Sequence, residues 1–304
     1  MRLKKNLKKK VYLNGSLVFE DKAAIPVFDR GLLYGDGLFE TMKATDGVIA
    51  FKAAHIKRLQ KGARLMGIPA APLRGFFRDV KAGCLERLIK TNALDRGQAY
   101  MRITVTRGNA PCAISPPLQK GGLGGDLTPT VLVVTKQMNA NALLKQQRTG
   151  VKAALIKGYC PSIPWIKTLN YLPNILGRAE AARKGAAEGI FIDADGCATE
   201  ATAANLFIVT RSGIKTAPVY EGTPGKGVLP GIIRSAVINE ARRLGIPVRE
   251  GRIRQTELLG AIEAFLTNSC IEVCPLVAVD GRIIGSGRPG AVTRTIQHAF
   301  ALDI

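Results

Sequence analysis

The fold and chemistry of this chain can be inferred outward from one segment, CPSIPWIKTLNYLPNILGRAEAARKG at Cys160–Gly185. It contains Lys167, which follows apolar Trp165 and Ile166 and has no acidic residue within ten positions on either side. A lysine held against apolar side chains loses hydration, so its pKa falls and its neutral amine can form a Schiff base with a carbonyl carbon. The other interpretation of the segment alone is a surface lysine beside a helix.

A helix is predicted directly after the lysine. Asn170 is suited to cap it, Pro173 fits its first turn and Gly185 fits its stop. The apolar residues that share one helical face are Leu172, Ile175, Leu176, Ala179 and Ala182. Because this spacing is that of an amphipathic helix, we expect Lys167 to lie where an apolar segment meets a helix start.

Composition indicates a globular α/β or α+β protein with a substantial core. The 304 residues are enough for one large domain or two modest ones, and 46% of them are hydrophobic. No apolar run approaches the ~20 residues of a transmembrane helix, so no membrane association is expected. The first ten residues, MRLKKNLKKK, lack an apolar core after their basic side chains, which predicts a frayed tail and not a secretory signal.

The net charge of +21 raises the alternative of a nucleic-acid-binding protein. Apart from the N-terminal tail, however, the basic residues are scattered, and aromatic residues make up only 6% of the chain. Neither a base-stacking motif nor zinc-finger spacing occurs. We therefore expect small-molecule substrates and no nucleic acid, with a solvated basic surface that attracts anions.

Cysteine and histidine usage narrows the chemistry. The six cysteines, at positions 84, 112, 160, 197, 270 and 274, form no C-x-x-C pair, as in reduced cytoplasmic proteins. His55 and His298 are the only histidines, which excludes a histidine metal cluster, and no metal is expected. Catalysis would therefore depend on lysine, tyrosine, a carboxylate or an organic cofactor.

Strand and helix patterns run through both halves of the chain. The first half predicts a hairpin over 11–20 with its turn at Asn14-Gly15, a glycine turn at 35–37, strands over 38–44, 48–51, 99–107 and 130–135, and helices over 53–66 and 73–91. The second half predicts strands over 151–156, 189–193, 214–217, 262–267 and 273–280, helices over 232–244 and 292–300, and one continuous strand over 198–210. A loop over 108–129, rich in glycine and proline, is expected to be functional or mobile.

Three features downstream of Lys167 suggest a cofactor. Glu200, in CATEATAANLFIV, would need a partner such as a protonated pyridine nitrogen if it is enclosed, and is otherwise an exposed loop glutamate. The run GKGVLPGIIR at 225–234 places glycines before a helix start, whose N–H groups at Gly231, Ile232 and Ile233 would cradle an anion. FLTNSC at 265–270 adds hydroxyl groups at a strand end, or is a polar turn. A Schiff-base lysine, a buried acid and a phosphate cradle together indicate pyridoxal phosphate.

The chain resembles the class IV (fold type IV) pyridoxal-phosphate aminotransferases, which include branched-chain aminotransferase, D-amino-acid aminotransferase and aminodeoxychorismate lyase. Six segments occur in the family's order: DRGLLYGDGLFE, HIKRL, IKTLNYL, TEATAANLF, LPGIIR and LTNSC. The resemblance implies an α+β/α/β fold with a smaller N-terminal α/β domain and a larger cofactor-binding domain that holds a pseudo-barrel sheet. We place these domains at 1–136 and 144–304, with a linker over 137–143. The resemblance also implies a homodimer in which Tyr34 reaches across to the second subunit.

The resemblance assigns roles at the cofactor residue by residue. Lys167 would form the Schiff base and move the proton between Cα and C4′, while Glu200 would face the pyridine nitrogen. The other residues matched to cofactor binding are Arg58 (the phosphate arginine), Tyr171, Leu229, Gly231, Ile232, Ile233 and Ser269. Ile233 departs from the usual threonine, so the phosphate would lose a hydroxyl contact worth about 1 kcal/mol or more.

The residues matched to substrate binding follow the branched-chain enzymes. They are Tyr34, Phe39, Tyr100, Arg102, Ser269 and Cys270. Aromatic walls favour the side chains of Leu, Ile and Val, and Arg102 would receive the side-chain carboxylate of glutamate. Cys112 and Ile114 stand where the D-amino-acid enzymes place charged carboxylate ligands. We therefore predict transamination between branched-chain L-amino acids and 2-oxoglutarate, with a D-amino-acid aminotransferase or 4-amino-4-deoxychorismate lyase as the alternatives.

Overall fold

The structure is a computed structural model that describes residues 8–109 and 128–302. Its backbone forms two compact units, one of Met1–Met138 with Lys167–Leu169 and the other of Asn139–Ile166 with Asn170–Ile304. By their contacts, Lys167–Leu169 therefore belong to the first unit, although the sequence analysis places them in the second domain. The division into domains at 1–136, 137–143 and 144–304 stays a prediction.

The first unit is built on an antiparallel sheet of six strands, counted over its described residues. The strands are β1 (Lys10–Leu13), β2 (Ser16–Phe19), β3 (Gly37–Thr45), β4 (Val48–Ile49), β5 (Gln98–Thr106) and β6 (Val131–Gln137), in the order β2-β1-β6-β5-β3-β4. The predicted hairpin is confirmed, because β1 and β2 pair across Asn14-Gly15, whose φ angles are 47° and 94°. Asparagine and glycine are the residues that tolerate this left-handed backbone best.

The helices of the first unit differ from the prediction in two places. They are α1 (Arg30–Tyr34), α2 (Lys52–Leu65), α3 (Ala70–Lys81) and α4 (Cys84–Thr91). The single helix predicted over 73–91 is wrong, because the chain breaks at Gly83, where φ is +80°. The short helix α1 was not predicted; the Asp29 side chain caps it by accepting a bond from the Gly31 N–H.

The two faces of the first sheet have different characters. On β5, Met101 and Ile103 are fully buried, whereas Tyr100 and Arg102 on the opposite face are half-buried. Because side chains alternate along a strand and paired residues share a face, Phe39 lies on the face of Tyr100 and Arg102, and Glu40 lies on the face that α2 covers. The loop predicted over 108–129, with Cys112 and Ile114, lies outside the described residues apart from its ends.

The second unit contains a sheet that closes on itself. Its strands are β7 (Val151–Ile156), β8 (Glu188–Ile192), β9 (Cys197–Ala201), β10 (Asn205–Thr210), β11 (Gly213–Thr216), β12 (Val248–Glu250), β13 (Ile253–Arg254), β14 (Glu263–Asn268), β15 (Glu272–Val279) and β16 (Arg282–Ile283). The pairings run β10-β14-β15-β7-β8-β9 and return from β9 to β10, which closes a ring. Each strand of the ring contributes to one buried apolar cluster. The predicted pseudo-barrel sheet is therefore confirmed.

Helices surround this ring. They are α5 (Ala140–Thr149), α6 (Leu172–Arg183), α7 (Ile232–Arg243), α8 (Gln255–Leu259) and α9 (Ala291–Leu302). Helix α5 was not predicted, since its first residues fall in the polar stretch that was expected to be a linker. The Asn139 side chain caps it by accepting a bond from the Ala142 N–H at 3.1 Å.

Helix α6 buries the face opposite to the one that its apolar pattern indicates. All five residues of its apolar face, from Leu172 to Ala182, are exposed, and its buried residues are Asn174, Gly177 and Ala181. The close approach to the sheet explains this choice. A Cβ at Gly177 would lie 2.9 Å from Phe191 Cε1, so only a face of small residues fits there.

The continuous strand predicted over 198–210 is wrong in a way that matters for the site. The chain reverses between β9 and β10, where the Ala201 N–H donates to the Ala204 carbonyl at 2.7 Å. This reversal pairs Asn205 with Glu200 across two antiparallel strands. Directly paired residues share a face, so the two polar side chains lie side by side.

No helix of the described ranges 8–109 and 128–302 is both long and apolar enough to cross a membrane. In the same ranges no group of histidine, cysteine and acidic side chains is arranged to hold a metal ion.

Candidate active site

The backbone of Lys167 is added to the first sheet as a short extra strand. The Phe39 N–H donates to the Lys167 carbonyl at 3.0 Å, the Leu169 N–H donates to the Gly37 carbonyl at 2.9 Å, and Leu38 bridges Thr168. These bonds occupy the edge of β3 that no named strand covers at this end. Pairing in this register places the Lys167 side chain on the face of Phe39, so local backbone bonding determines where the amine lies.

The Lys167 amine lies against an aromatic ring. Its Nζ is 4.4 Å from the centroid of the Phe39 ring, and the guanidinium carbon of Arg102 is 3.8 Å from the same centroid. Lys167 is half-buried and Phe39 is only 4% exposed. The structure therefore brings together three of the residues that the sequence singled out, at distances where cation–π attraction operates.

Arg102 has a neutral hydrogen-bond partner and no acidic one among the described residues. Its Nε donates to Thr104 Oγ1 at 3.2 Å, and it forms no ion pair with any acidic side chain of the described residues. Tyr100 lies two positions away on the same strand and the same face. Tyr34, by contrast, is 40% exposed at the end of α1, where the Arg30 guanidinium lies 5.0 Å from its ring centroid.

Arg58 is held by a buried carboxylate that the sequence analysis did not single out. Its Nε and Nη2 each donate to Glu40 at 2.7 Å, and His55 Nδ1 is also 2.7 Å from Glu40 Oε2. Burial opposes ionisation of Glu40, but the charge and hydrogen bonds of Arg58, with the bond from His55, outweigh it and lower the pKa of Glu40 to about 2. Burial lowers the pKa of His55, although Glu40 partly offsets it.

A sequence signal for this cluster existed. Glu40 alternates with Leu38 and Met42 on one face of a predicted strand, and a charged residue between two core positions needs a partner. His55 and Arg58 are three positions apart on a predicted helix and thus share a face.

In the second unit, Glu200 is buried and hydrogen-bonded. It is 8% exposed, and its Oε2 accepts bonds from Asn205 Nδ2 at 3.2 Å and from the Leu229 N–H at 3.0 Å. The interpretation as an exposed loop glutamate is therefore wrong. Asn205 was not among the residues predicted for the site, because only the reversal between β9 and β10 brings it beside Glu200.

The loop before α7 ends at a helix N-terminus. Gly231 is the N-cap and has no side-chain cap, and α7 begins at Ile232. The N–H groups of the first turn point out of the helix and carry partial positive charge, which suits an anion. Ile233 is 3% exposed, so its side chain belongs to the core, and only its backbone can contact a ligand.

The end of β14 supplies further polar groups. Thr267 is 1% exposed, and its Oγ1 has no hydrogen-bond partner within the described ranges. Ser269 and Cys270 are half-buried, and the Cys270 N–H donates to Asn268 Oδ1 at 2.8 Å. Thr267 pairs directly with Asn205, so its hydroxyl lies in the row of side chains that begins at Glu200. Tyr171 is half-buried at the N-terminus of α6.

Comparison with known proteins identifies the family. The family model described as amino-transferase class IV matches residues 37–279. The chain belongs to this family. The resemblance seen in the six sequence segments is thereby confirmed, and the protein is a pyridoxal-phosphate-dependent transaminase of fold type IV.

Individual relatives of this aminotransferase have different names. It is 35% identical over 295 residues to the "Putative branched-chain-amino-acid aminotransferase" of Methanocaldococcus jannaschii, a match that covers 96% of this chain and 95% of the relative. It is 33% identical over 299 residues to the D-alanine aminotransferase of Bacillus licheniformis, with 97% of both chains covered. A solved structure of the Escherichia coli branched-chain amino acid aminotransferase matches with a TM-score of 0.81 and 28% identity, over 97% of this chain and 94% of that one.

The polar groups of the second unit suit pyridoxal phosphate. A phosphate needs several donors, and the first turn of α7 offers N–H groups while Thr267 has a buried hydroxyl without a protein partner in the described part of the chain. A protonated pyridine nitrogen needs an anion, and Glu200 is a buried carboxylate. The donor set of this aminotransferase therefore fits its cofactor.

Proposed function

We propose that this aminotransferase moves the amino group of branched-chain L-amino acids (Leu, Ile and Val) to 2-oxoglutarate, which gives 2-oxo acids and L-glutamate. The observation that carries the proposal is the arrangement of Phe39, Arg102 and Lys167 on one face of the first sheet. The Phe39 ring lies against both the Lys167 amine and the guanidinium of Arg102, which has no acidic partner in the described residues.

These residues suit two kinds of substrate side chain. The ring of Phe39 offers an apolar wall on which an aliphatic side chain buries surface, at roughly 25 cal/mol for each Å² removed from water. Arg102 can form charge-assisted hydrogen bonds with the distal carboxylate of glutamate or 2-oxoglutarate. The face of the first sheet that carries Lys167 would thus accept the substrates of both half-reactions, and both half-reactions use the same Lys167 amine.

The catalytic roles follow from the chemistry of each residue. Pyridoxal phosphate, when bound, supplies the electron sink that makes the substrate Cα proton acidic. We assign attachment of the cofactor and transfer of the proton at Cα to the Lys167 amine. Glu200 keeps the proton on the pyridine nitrogen. Arg58, held in orientation by Glu40, neutralises the phosphate.

The remaining predicted residues are assigned by the resemblance and by their burial. At the phosphate we propose the N–H groups of Gly231, Ile232 and Ile233 and the Ser269 hydroxyl, and beside the ring Tyr171 and Leu229. At the substrate we propose Tyr34, Tyr100, Ser269 and Cys270. Most of these cofactor and substrate residues are half-buried, as expected of groups that a small molecule covers. The exceptions are Tyr34, which is exposed, and Gly231 and Ile233, which are buried.

We further propose that the enzyme is a homodimer. In the first unit, Val27, Phe28 and Leu32 are 69%, 52% and 67% exposed and lie within eight residues of Tyr34. In the second unit, Leu172 and Ile175 on α6 are 63% and 60% exposed. Clustered exposed apolar side chains favour burial against another protein surface, and a second copy is the partner that the family resemblance implies.

We propose a cytoplasmic location from the state of the thiols. The five described cysteines, at positions 84, 160, 197, 270 and 274, are all free. Burial raises the pKa of the Cys160 thiol to about 11 and that of Cys274 to about 12. Free thiols in this number favour a reducing compartment.

Both half-reactions measured on purified enzyme test the substrate. We expect conversion with L-leucine, followed by return of the amino group to 2-oxoglutarate. The full-length match to a D-alanine aminotransferase makes D-alanine the necessary second donor in the assay. Turnover of D-alanine without turnover of L-leucine would overturn the assignment, and so would release of pyruvate from aminodeoxychorismate without transfer to an oxo acid.

A further inference from the structure

In the second unit, the side chain of Asn205 connects the Glu200 carboxylate to the backbone of Leu229. Its Nδ2 donates to Glu200 Oε2 at 3.2 Å and to the Leu229 carbonyl at 3.0 Å. The Leu229 N–H donates back to the same Glu200 oxygen at 3.0 Å. Asn205 is 4% exposed, so these bonds are shielded from water and each is worth more than a surface bond. One buried amide thus ties the acid on β9 to the loop that precedes α7.

The contact continues to the N-terminus of α7. A Cβ at Gly231 would lie only 2.0 Å from Asn205 Oδ1, so the loop passes the asparagine at a distance that only glycine permits. Gly231 is the N-cap, and the first helical N–H groups follow directly. The position of Asn205 therefore fixes where the helix begins relative to Glu200.

We propose that Asn205 is a positioning residue for pyridoxal phosphate. The cofactor is a rigid ligand with a ring nitrogen on one side and a phosphate on another. Both can be bound at full strength only if the acid and the helix N-terminus are held at the matching separation. Asn205 holds that separation through Glu200 on one side and Leu229 and Gly231 on the other. This inference rests on the proposed roles of Glu200 and of the N–H groups of α7.

Binding of the cofactor to the apoenzyme tests the proposal without relying on turnover. Asn205→Ala removes the donor to Glu200 and to Leu229, and we expect the Kd of pyridoxal phosphate to rise about tenfold or more. The absorption spectrum of the bound cofactor should also change in its dependence on pH, because the field of Glu200 at the ring nitrogen is altered.

Asn174→Ala is the matched control. Asn174 is also a buried asparagine of the second unit, 7% exposed, and its Nδ2 donates to the Thr202 carbonyl at 2.8 Å without contacting Glu200. We expect this variant to lose stability but to keep the Kd and spectrum of the wild type. Equal Kd values for both variants and the wild type would reduce Asn205 to a structural residue and overturn the proposal.

Asn205→Asp keeps the shape of the side chain and is the variant to use if Asn205→Ala does not fold. Its carboxyl would lie against that of Glu200, and two carboxyl groups this close share one proton. The protonated group can still donate to Glu200, whereas the ionised one repels it. Cofactor affinity should therefore fall with rising pH more steeply than in the wild type, and an unchanged pH dependence would contradict the proposal.

Glu200→Gln separates failure of this inference from failure of the proposed roles. If Glu200→Gln keeps the wild-type Kd and spectrum, the proposed role of Glu200 is wrong and the inference fails with it. If Glu200→Gln changes both while Asn205→Ala changes neither, Glu200 keeps its role and the inference about Asn205 alone is refuted.

Discussion

Replacing Glu40 with glutamine tests the buried ionic cluster that orients Arg58. The substitution keeps the shape of the side chain and removes the charge that Arg58 and His55 contact at 2.7 Å. A pKa lowered from 4.5 to about 2 means that the folded state favours the ionised form of Glu40 by about 3 kcal/mol, since each tenfold change in acidity is worth about 1.4 kcal/mol. Glu40→Gln should therefore lower the free energy of unfolding by about 3 kcal/mol at pH 7.

The same pKa shift predicts how the contribution of Glu40 to stability depends on pH. Because the pKa of Glu40 is lower in the folded state than the ordinary value of 4.5, its contribution is complete above pH 4.5 and is lost as the pH falls toward about 2. The difference in stability between wild type and Glu40→Gln should then shrink by more than half between pH 7 and pH 3.

Urea unfolding of the apoenzyme at both pH values provides the measurement. Asp21→Asn is the control in the same unit, because its pair with Lys8 is largely exposed, with 53% and 68% of the two side chains accessible. An exposed pair of this kind contributes less than about 1 kcal/mol. A loss below about 1 kcal/mol for Glu40→Gln, or a difference that is the same at pH 7 and pH 3, would refute this account of the cluster.

Three further substitutions test other parts of the account. Arg102→Ala should lower kcat/KM for 2-oxoglutarate about 10- to 100-fold and that for L-leucine much less, because only the former offers a distal carboxylate; equal losses in steady-state assays would argue against the assigned contact. Leu32→Asp should convert dimers to monomers in sedimentation velocity, since a charge would enter the proposed apolar interface, while a dimer of unchanged stability would exclude this patch. Gly177→Ala should cost about 1–3 kcal/mol in thermal or urea unfolding, because its Cβ would lie 2.9 Å from Phe191. The control is Ala179→Gly on the exposed face of the same helix, for which helix propensity alone predicts a loss of about 1 kcal/mol. Gly185→Ala is not a suitable control, because φ at Gly185 is +70°. A Gly177→Ala variant as stable as the wild type would contradict the close packing of α6.

Local patterns predicted most strands and helices, because these depend on neighbours in the sequence. The hairpin at Asn14-Gly15 and the strand Val151–Ile156 are where their residues indicate, since turn chemistry and a short apolar run are sufficient to specify them. The reversal between Glu200 and Asn205 was missed because no glycine or proline marks it. The pairing of β9 with β10 and with its other neighbours determines that turn.

The faces of helices were harder to predict than their positions. The apolar side of α6 faces outward because Gly177 allows closer packing on Phe191 than leucine side chains would. An apolar pattern does not say whether a helix face is covered by the same chain or by another one, and the proposed homodimer would supply such a second chain.

Candidate site residues could be named where a single residue type carries the chemistry, but not where contacts over long sequence distances assemble the candidate site. Lys167 and Glu200 were singled out as candidates from their surroundings in the sequence, and their roles stay a prediction. That the backbone of Lys167 bonds to Phe39, and that Asn205 contacts Leu229 and Glu200, depends on strand pairing and loop packing that local patterns do not encode.

The central claim is that the amine beside Phe39 is the one that carries the cofactor. Reduction of the pyridoxal-phosphate-loaded enzyme with borohydride fixes the cofactor covalently to its lysine, and peptide mass mapping then identifies that lysine. We predict one phosphopyridoxyl group for each chain, on Lys167. A group on any other lysine, or none after full loading, would contradict the account.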